Sequence, residues 1–255
     1  MLSLPEPILA NVNGFTITSP DLDASFAVYK LLGFTEIFRS DFPFPLIMIT
    51  DGTLQIMLRK DPTPYIALTY YVKNIGKTVN ELEAKGVDPA TKYKPTDMVK
   101  RCLIKSPDGI NISLVEIVDG FTQPPGPTML QMPQQDYFNP EKYVNKRCGI
   151  FGEFAHPVAE IDTSMIFWEK LGFKVLSKMA SPYPWAIISD GISTVGLHQT
   201  TSFAEPAITY FASDMREKIE QLKAMGLTNF TEKGPANIVV ETPEKQHINL
   251  FKLGM

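Results

Sequence analysis

The chain has 255 residues, of which 44% are apolar and 20% are charged. This length suits two domains of ordinary size, and the composition is typical of a soluble globular protein with a filled core. The net charge of −4 gives no basic surface for nucleic acid, and no apolar run approaches the roughly 18 residues of a membrane span. The first residues show no signal segment, so we expect a cytoplasmic protein.

The chain contains two cysteines, Cys102 and Cys148. They are too few for a disulfide framework, and their spacing is not that of a metal site. We expect reduced thiols.

A long segment of the chain occurs twice. Residues 21–52 align without a gap with residues 160–191, at an offset of 139. Residues 67–86 align with residues 207–226 at an offset of 140. The chain is therefore arranged as A-B-A′-B′, with two related units in each half.

The first unit begins with an alternating strand around Phe15. Asp21 supplies a helix cap, and apolar residues then recur at helical spacing up to Gly33, which ends the helix in a left-handed conformation. Apolar runs broken by prolines and by the Asp-Gly pair at 51–52 follow. These runs predict strands joined by turns.

The second and fourth units have the same pattern. Their helices are predicted near residues 75–85 and 215–225, and each is closed by a glycine, Gly86 or Gly226. The sequence therefore predicts an α+β fold of four βαβββ modules.

A proline-rich segment separates the two halves. Residues 121–147 contain five prolines and little periodicity, so we expect a linker that runs extended over the surface. The predicted domains are residues 1–120 and residues 148–255.

Short motifs recur at the same place in each half. Asp-Leu-Asp-Ala-Ser at 21–25 precedes Leu-Gly-Phe at 32–34, and Glu-Ile-Asp-Thr-Ser at 160–164 precedes Leu-Gly-Phe at 171–173. Ser-Pro-Asp-Gly at 106–109 precedes the last strand of the first half. With four βαβββ units, these motifs resemble the vicinal oxygen chelate superfamily, which includes glyoxalase I, bleomycin-resistance proteins, methylmalonyl-CoA epimerase and extradiol dioxygenases. The resemblance implies two half-open, eight-stranded barrel domains, each with a cavity.

The resemblance also implies where a divalent metal would be bound. The corresponding positions in this sequence are Gly14, Met57, Ala67, Ser113, Glu153, Gly196, Ala207 and Asn249. Glu153 alone is a good ligand for a hard metal, whereas a catalytic site normally needs about three protein ligands. We therefore expect no metal cofactor.

A metal site in the C-terminal domain is an alternative, because this domain contains two suitably placed histidines. Strand residues two apart share a face, so His198 should point the same way as Gly196, and His247 the same way as Asn249. With Glu153 they form a two-histidine, one-carboxylate set, although each histidine is displaced by about 7 Å along its strand. The alternatives are a polar lining of a ligand pocket, or histidines exposed at the barrel mouth. His156 falls on the opposite face and is interpreted as structural.

The remaining cavity residues are mostly aromatic. Phe42, Phe44, Tyr183 and Trp185 flank the paired prolines where the superfamily has its cavity rim, and core packing is the alternative interpretation. The predicted ligand-binding residues are Glu153, His198, His247, Asn249, Tyr210 and Trp185. Glu153 is also a candidate general base, because a buried carboxyl group can take a proton from a ligand.

Three functions follow from these observations. The first is a cytoplasmic protein that binds a small organic molecule in a barrel cavity without a metal. The second is a metal-dependent lyase, isomerase or dioxygenase that uses Glu153, His198 and His247. The third is a structural or interaction module with filled cavities. A homodimer is left open, and neither nucleic acid nor membrane is expected as a partner.

Overall fold

The computed structural model describes residues 4–117 and 120–254. The outer limits of the predicted domains at residues 1 and 255 lie outside the described residues. The elements of the first half are β1 Asn13–Ser19, α1 Leu22–Leu31, β2 Thr35–Ser40, β3 Leu46–Thr50, β4 Gln55–Lys60, β5 Ile66–Val72, α2 Ile75–Ala84, β6 Arg101–Lys105 and β7 Asn111–Glu116.

The second half repeats this order with one additional strand. Its elements are β8 Ile150–Pro157, α3 Ile161–Lys170, β9 Lys174–Met179, β10 Trp185–Ser189, β11 Thr194–His198, β12 Ala207–Ala212, α4 Met215–Ala224, β13 Phe230–Gly234, β14 Asn237–Glu241 and β15 His247–Lys252.

The four helices lie where the sequence predicts them, and local chemistry fixes their ends. The Asp21 side chain accepts hydrogen bonds from two backbone N–H groups at the start of α1, and Glu160 does the same for α3. Gly33 and Gly172, which follow these helices, have φ values of 93° and 91°. Glycine adopts this left-handed conformation without a steric penalty, so each helix stops there.

The strands form two mixed sheets with corresponding strand orders. The first sheet runs β2-β3-β4-β1-β5-β7-β6, and the second runs β9-β10-β11-β8-β12-β15-β14-β13. In each half, the first strand of a module pairs in parallel with the last strand of the same module. These sheets confirm the predicted α+β class of paired βαβββ modules in two half-open, barrel-like units.

The N-terminal sheet has one strand fewer than the eight that we expected. Where the second half has β13, the first half has an isolated bridge between Thr91 and Leu103. The segment before this bridge and the segment after it contain Pro89 and Pro95. Proline cannot donate to a strand ladder, which accounts for the loss of regular pairing here.

The two halves pack against each other with matching hydrogen bonds. The Tyr70 hydroxyl donates to Asp190 Oδ2 at 2.6 Å, and the Tyr210 hydroxyl donates to Asp51 Oδ2 at 2.5 Å. The sequence repeat relates Tyr70 to Tyr210 and Asp51 to Asp190, so the contact has approximate twofold symmetry. All four side chains are buried.

The segment at 121–147 is not extended throughout. It contains two short 3-10 helices at Gln134–Asp136 and Pro140–Lys142. Tyr143 is buried, and its hydroxyl donates to the Tyr137 carbonyl at 2.5 Å. The segment is therefore part of the packed structure.

None of the helices in the described ranges is both long enough and apolar enough to cross a membrane.

Candidate functional site

One face of the C-terminal sheet carries most of the predicted site residues, and we call it the cavity face. Glu153 on β8 pairs with Thr209 on β12, and Thr209 pairs in turn with Asn249 on β15. Because paired residues point to the same side of a sheet, these three side chains share the cavity face. The alternate residues belong to the apolar core on the other side, among them Val195, Leu197, Ile248 and Leu250.

A cavity of about 520 Å³ lies over this face. Its walls come from β8, β11, β12, β13, β14 and β15, from the segment between β9 and β10, and from the segment between β11 and β12. The residues that line it are Glu153, Ala155, Tyr183, His198, Ser202, Phe203, Ala204, Glu205, Ala207, Thr231, Lys233, Val239, His247, Asn249 and Phe251. This size and this mixture of aromatic and polar groups are typical of a site for a small organic molecule.

Glu153 is at the floor of the cavity and is 7% exposed. One of its carboxylate oxygens, Oε1, lies 3.1 Å from His198 Nε2. The other oxygen, Oε2, is buried and has no hydrogen-bond partner among the residues that the structure describes. A buried carboxylate oxygen without a partner costs free energy, so the fold maintains this group at a cost to its stability.

Gly196 makes room for the carboxylate. A methyl carbon added at Gly196 would lie 1.9 Å from Glu153 Oε2 and 2.7 Å from His198 Nε2. No side chain fits there, because real Cβ atoms do not approach other heavy atoms so closely. Glycine inside a strand often marks such a close approach.

His198 connects Glu153 to the cavity mouth. The Tyr183 hydroxyl lies 3.3 Å from His198 Nδ1. Burial, and secondarily the charge of Glu153, raise the pKa of Tyr183, so its phenol stays protonated. We assign Tyr183 as the donor to Nδ1 and the Nε2–H as the donor to Glu153, which leaves a neutral imidazole. The ring also contacts Phe203, with a centroid distance of 5.6 Å.

The other two predicted polar residues line the same cavity. The Asn249 side-chain nitrogen donates to Thr209 Oγ1 at 3.1 Å, which fixes the orientation of its amide. His247 turns towards Glu241, with its Nε2 3.7 Å from Glu241 Oε2. Four of the six predicted ligand-binding residues, Glu153, His198, His247 and Asn249, therefore meet in one place.

Tyr210 and Trp185 do not line this cavity. Tyr210 is fully buried on the opposite face of β12, where its hydroxyl binds Asp51 of the other half. Trp185 pairs with His198 across β10 and β11, so it points to the cavity side, but it lies nearer the edge of the sheet than the cavity does. These two residues therefore do not join the four that meet in the cavity.

His156 lies on the opposite face, as predicted. It is 4% exposed, and neither ring nitrogen has a hydrogen-bond partner. Burial lowers its pKa to about 4, with a smaller effect from His198 that is opposed by Asp108. A neutral imidazole stacked on Phe154 is consistent with a structural role.

The residues of the cavity do not fit a divalent metal site. Glu153 and His198 are adjacent, but His247 is directed towards Glu241. Within residues 4–117 and 120–254, no group of three or more His, Cys, Asp or Glu side chains is arranged to hold a metal. A catalytic metal centre normally takes about three protein ligands, so we derive no metal chemistry from this site.

Sequence reasoning did not identify Phe203, Thr209 or Lys233, and it missed the function of Gly196. Phe203 lies in an irregular segment, where no periodicity indicates the direction of a side chain. Gly196 did carry a signal, because it interrupts the alternating strand of residues 194–198. A glycine within a strand often marks a place where another group approaches the backbone closely, so Gly196 predicts a bulky group opposite it.

The corresponding face of the N-terminal sheet has different chemistry. At the positions of Glu153 and His198 it has Gly14 and Arg59. The Arg59 guanidinium lies over the Phe44 ring at 5.7 Å and pairs with Asp61 at 3.1 Å. Tyr65 takes the position of Glu205, and burial raises its pKa, an effect that the charges of Arg101 and Arg59 oppose.

Comparison with known proteins shows what the fold resembles. No family model matches the chain. No curated protein matches it. Among solved structures it is similar to the 2,3-dioxygenase LapB from Pseudomonas sp. KL28, with a TM-score of 0.62, 15% identity, and coverage of 99% of this chain and 94% of that one.

Two further structures give the same result. Homoprotocatechuate 2,3-dioxygenase from Arthrobacter globiformis has a TM-score of 0.63 at 15% identity, with coverage of 98% and 81%. An extradiol ring-cleaving dioxygenase from B. fuscum has a TM-score of 0.61 at 15% identity, with coverage of 96% and 72%. At these identities the likeness concerns the fold alone, and the chain therefore has the fold of these extradiol dioxygenases.

Proposed function

We propose that the C-terminal cavity binds a small, partly apolar organic molecule, and that Glu153 is the group that recognises it. The observation that carries this proposal is the carboxylate at the cavity floor, whose second oxygen has no partner within the protein. Natural proteins rarely leave a buried acceptor unpaired without a functional reason.

The surrounding residues have complementary functions in this proposal. His198 and Tyr183 hold one carboxylate oxygen through the hydrogen-bonded chain described above, and the second oxygen, which lies over Gly196, has no hydrogen-bond partner among the described residues. Phe203 and Phe251 offer apolar surface, and Asn249 offers an oriented amide. Pockets of this kind bind by burying apolar area and select by a few placed polar groups.

The same carboxylate can take a proton from a bound ligand. A general base must lie within hydrogen-bond reach of the proton that it removes, and Glu153 lines the cavity. His198 and Tyr183 form a hydrogen-bonded chain from Glu153 towards the cavity mouth. Turnover, if a substrate is found, is expected to depend on Glu153.

The experiment compares ligand-induced thermal shifts for three proteins. Amines, alcohols and carboxylates with a single aromatic ring are screened against the wild type, Glu153→Gln and Glu169→Gln. Glu169 is exposed at the end of α3, so its variant has the same change in net charge away from the cavity. A ligand that binds only the native state raises the melting temperature.

The proposal predicts equal shifts for the wild type and Glu169→Gln and a reduced shift for Glu153→Gln. If no compound shifts the wild type, the cavity is not a site for this class of molecule. If Glu153→Gln responds like the wild type, Glu153 is not the recognising group. Elemental analysis of the purified protein addresses the metal-dependent alternative, which predicts about one equivalent of a divalent metal.

A further inference from the structure

The charges around the cavity are unbalanced. Glu153 is buried at the floor, and Glu205 lies at the mouth. The one lysine among the lining residues, Lys233, is exposed to solvent. Within the described ranges, His198 is the hydrogen-bond partner of Glu153, and no lysine or arginine side chain pairs with this carboxylate.

The hydrogen bonds around His198 leave this charge uncompensated. We assign the Tyr183 hydroxyl as the donor to Nδ1, which places the proton of the imidazole on Nε2, 3.1 Å from Glu153 Oε1. An imidazole with this pattern is neutral. The pair of Glu153 and His198 therefore has a net charge of −1 in a largely water-excluded position.

Aromatic rings lie beside His198 and along the cavity wall. Tyr183 and Phe203 flank His198, with centroid distances of 5.9 and 5.6 Å, and Phe251 forms part of the cavity wall. The faces of aromatic rings attract cations, and this attraction increases when water is excluded. A cavity that contains both a carboxylate and such rings favours a positively charged organic group.

We infer that the ligand of the C-terminal cavity is an organic ammonium compound, whose cationic nitrogen pairs with Glu153 and whose carbon skeleton packs against Phe203. This inference rests on the proposed function and names its ligand class. A metal cation is the other source of positive charge, but the site lacks a set of three ligands. An anionic ligand would place a second negative charge beside Glu153, and nothing at the cavity floor offsets the repulsion.

The test uses three probes of similar shape and different charge: phenethylammonium, phenethyl alcohol and phenylacetate. Each is titrated into the full-length protein at neutral pH, and binding is followed by NMR through the ring signals of Phe203 and His198. We expect phenethylammonium to bind at least about tenfold more tightly than the alcohol, because pairing with a buried charge adds to apolar contact. Phenylacetate should bind most weakly.

Two variants separate the contributions. Glu153→Gln keeps the shape of the side chain and removes its charge, so phenethylammonium should lose about tenfold in affinity while the alcohol is little affected. Phe203→Leu should weaken phenethylammonium by about threefold through loss of the ring face. Glu169→Gln is the control and should behave like the wild type.

The outcomes distinguish this inference from the proposed function. If the alcohol or phenylacetate binds as tightly as the ammonium probe, the ligand class is wrong and the cavity remains a binding site. If no probe perturbs the cavity signals, both fail. The last measurement adds manganese(II) chloride to the protein. If stoichiometric metal broadens the His198 signals and a chelator reverses the broadening, the negative charge belongs to a metal site and the inference is overturned.

Discussion

The two halves of the chain share a fold and differ on one face of the sheet. Towards the helices, both sheets present buried apolar residues in one continuous core. On the other face, Gly14 in the first half corresponds to Glu153 in the second, and Arg59 corresponds to His198. The first half therefore has an arginine, paired with Asp61, where the second half has the hydrogen-bonded pair of Glu153 and His198.

This difference shows which residues determine the fold and which determine the chemistry. The helix ends, the glycine caps and the apolar face recur in both halves, because each is needed to form and pack a βαβββ module. The residues on the other face are under no such requirement, so they can diverge without changing the fold. The strongest tests of the comparison are substitutions at positions that the repeat relates.

The largest change in unfolding free energy is expected at His156, which corresponds to Ile17 in the first half. Burial lowers the pKa of His156 to about 4 from its ordinary value of 6.5. Between these values the unfolded chain binds a proton and the folded chain does not, so the free energy of unfolding falls as the pH falls from about 6.5 to about 4. The full loss is about 3 kcal/mol.

The variant His156→Ile places in the second half the isoleucine that the first half has at the equivalent position, Ile17. The variant has no imidazole to protonate at this position, so it should not show this loss of stability at low pH. Relative to the wild type, its unfolding free energy should therefore rise by about 3 kcal/mol between pH 7 and pH 4. Urea unfolding at a series of pH values measures this difference. A difference that stays constant over this range would show that His156 does not titrate with folding.

The next effect concerns Gly196, which corresponds to Met57 in the first half. The methyl group of Gly196→Ala would occupy the position of the Glu153 carboxylate, so it should displace that group and break its hydrogen bond to His198. We expect a loss of about 2 kcal/mol in unfolding free energy. The ring nitrogen shifts of His198 should also change, as measured by NMR.

A glycine-to-alanine change elsewhere controls for this effect. Gly76 lies in the first turn of α2, and a methyl group there would lie 3.0 Å from the Tyr93 hydroxyl and 3.6 Å from Asn74 Oδ1. Since alanine is the better helix former, Gly76→Ala should leave stability unchanged or raise it by up to about 1 kcal/mol. Wild-type stability and an unchanged His198 spectrum in Gly196→Ala would refute the proposed packing.

Much of the fold could be predicted from the sequence, because the repeat and the helix signals are local. Strand alternation also placed His198 and His247 correctly. The error at Tyr210 had a physical origin: counting in twos from Ala207 puts Thr209 on the cavity face and Tyr210 on the other. The hydrogen bond between Glu153 and His198 could not be predicted, since it depends on the register of two strands far apart in sequence.

The smallest effect is expected at the contact between the halves, where the approximate symmetry is incomplete. Asp51 Oδ2 accepts from Tyr210 and also from the Asn145 side chain at 3.1 Å. Asp190 Oδ2 accepts from Tyr70, with no further hydrogen bond recorded among the described residues. Removing the Tyr70 hydroxyl therefore leaves Asp190 Oδ2 without this partner. Removing the Tyr210 hydroxyl leaves Asp51 Oδ2 with the hydrogen bond from Asn145.

We accordingly expect Tyr70→Phe to cost about 1.5 kcal/mol of unfolding free energy and Tyr210→Phe about 0.5 kcal/mol, because an unpaired buried acceptor costs more than a lost hydrogen bond. Burial raises the pKa of Asp190, and the Tyr70 hydrogen bond opposes this rise. Losing that bond should raise the pKa further, so the destabilisation of Tyr70→Phe should shrink as the pH is lowered and Asp190 takes up a proton. Urea unfolding of both variants at pH 7 and pH 4.5 measures the two costs and their pH dependence. Equal costs at both positions would mean that the Asn145 contact contributes nothing and that the two interdomain bonds are energetically equivalent.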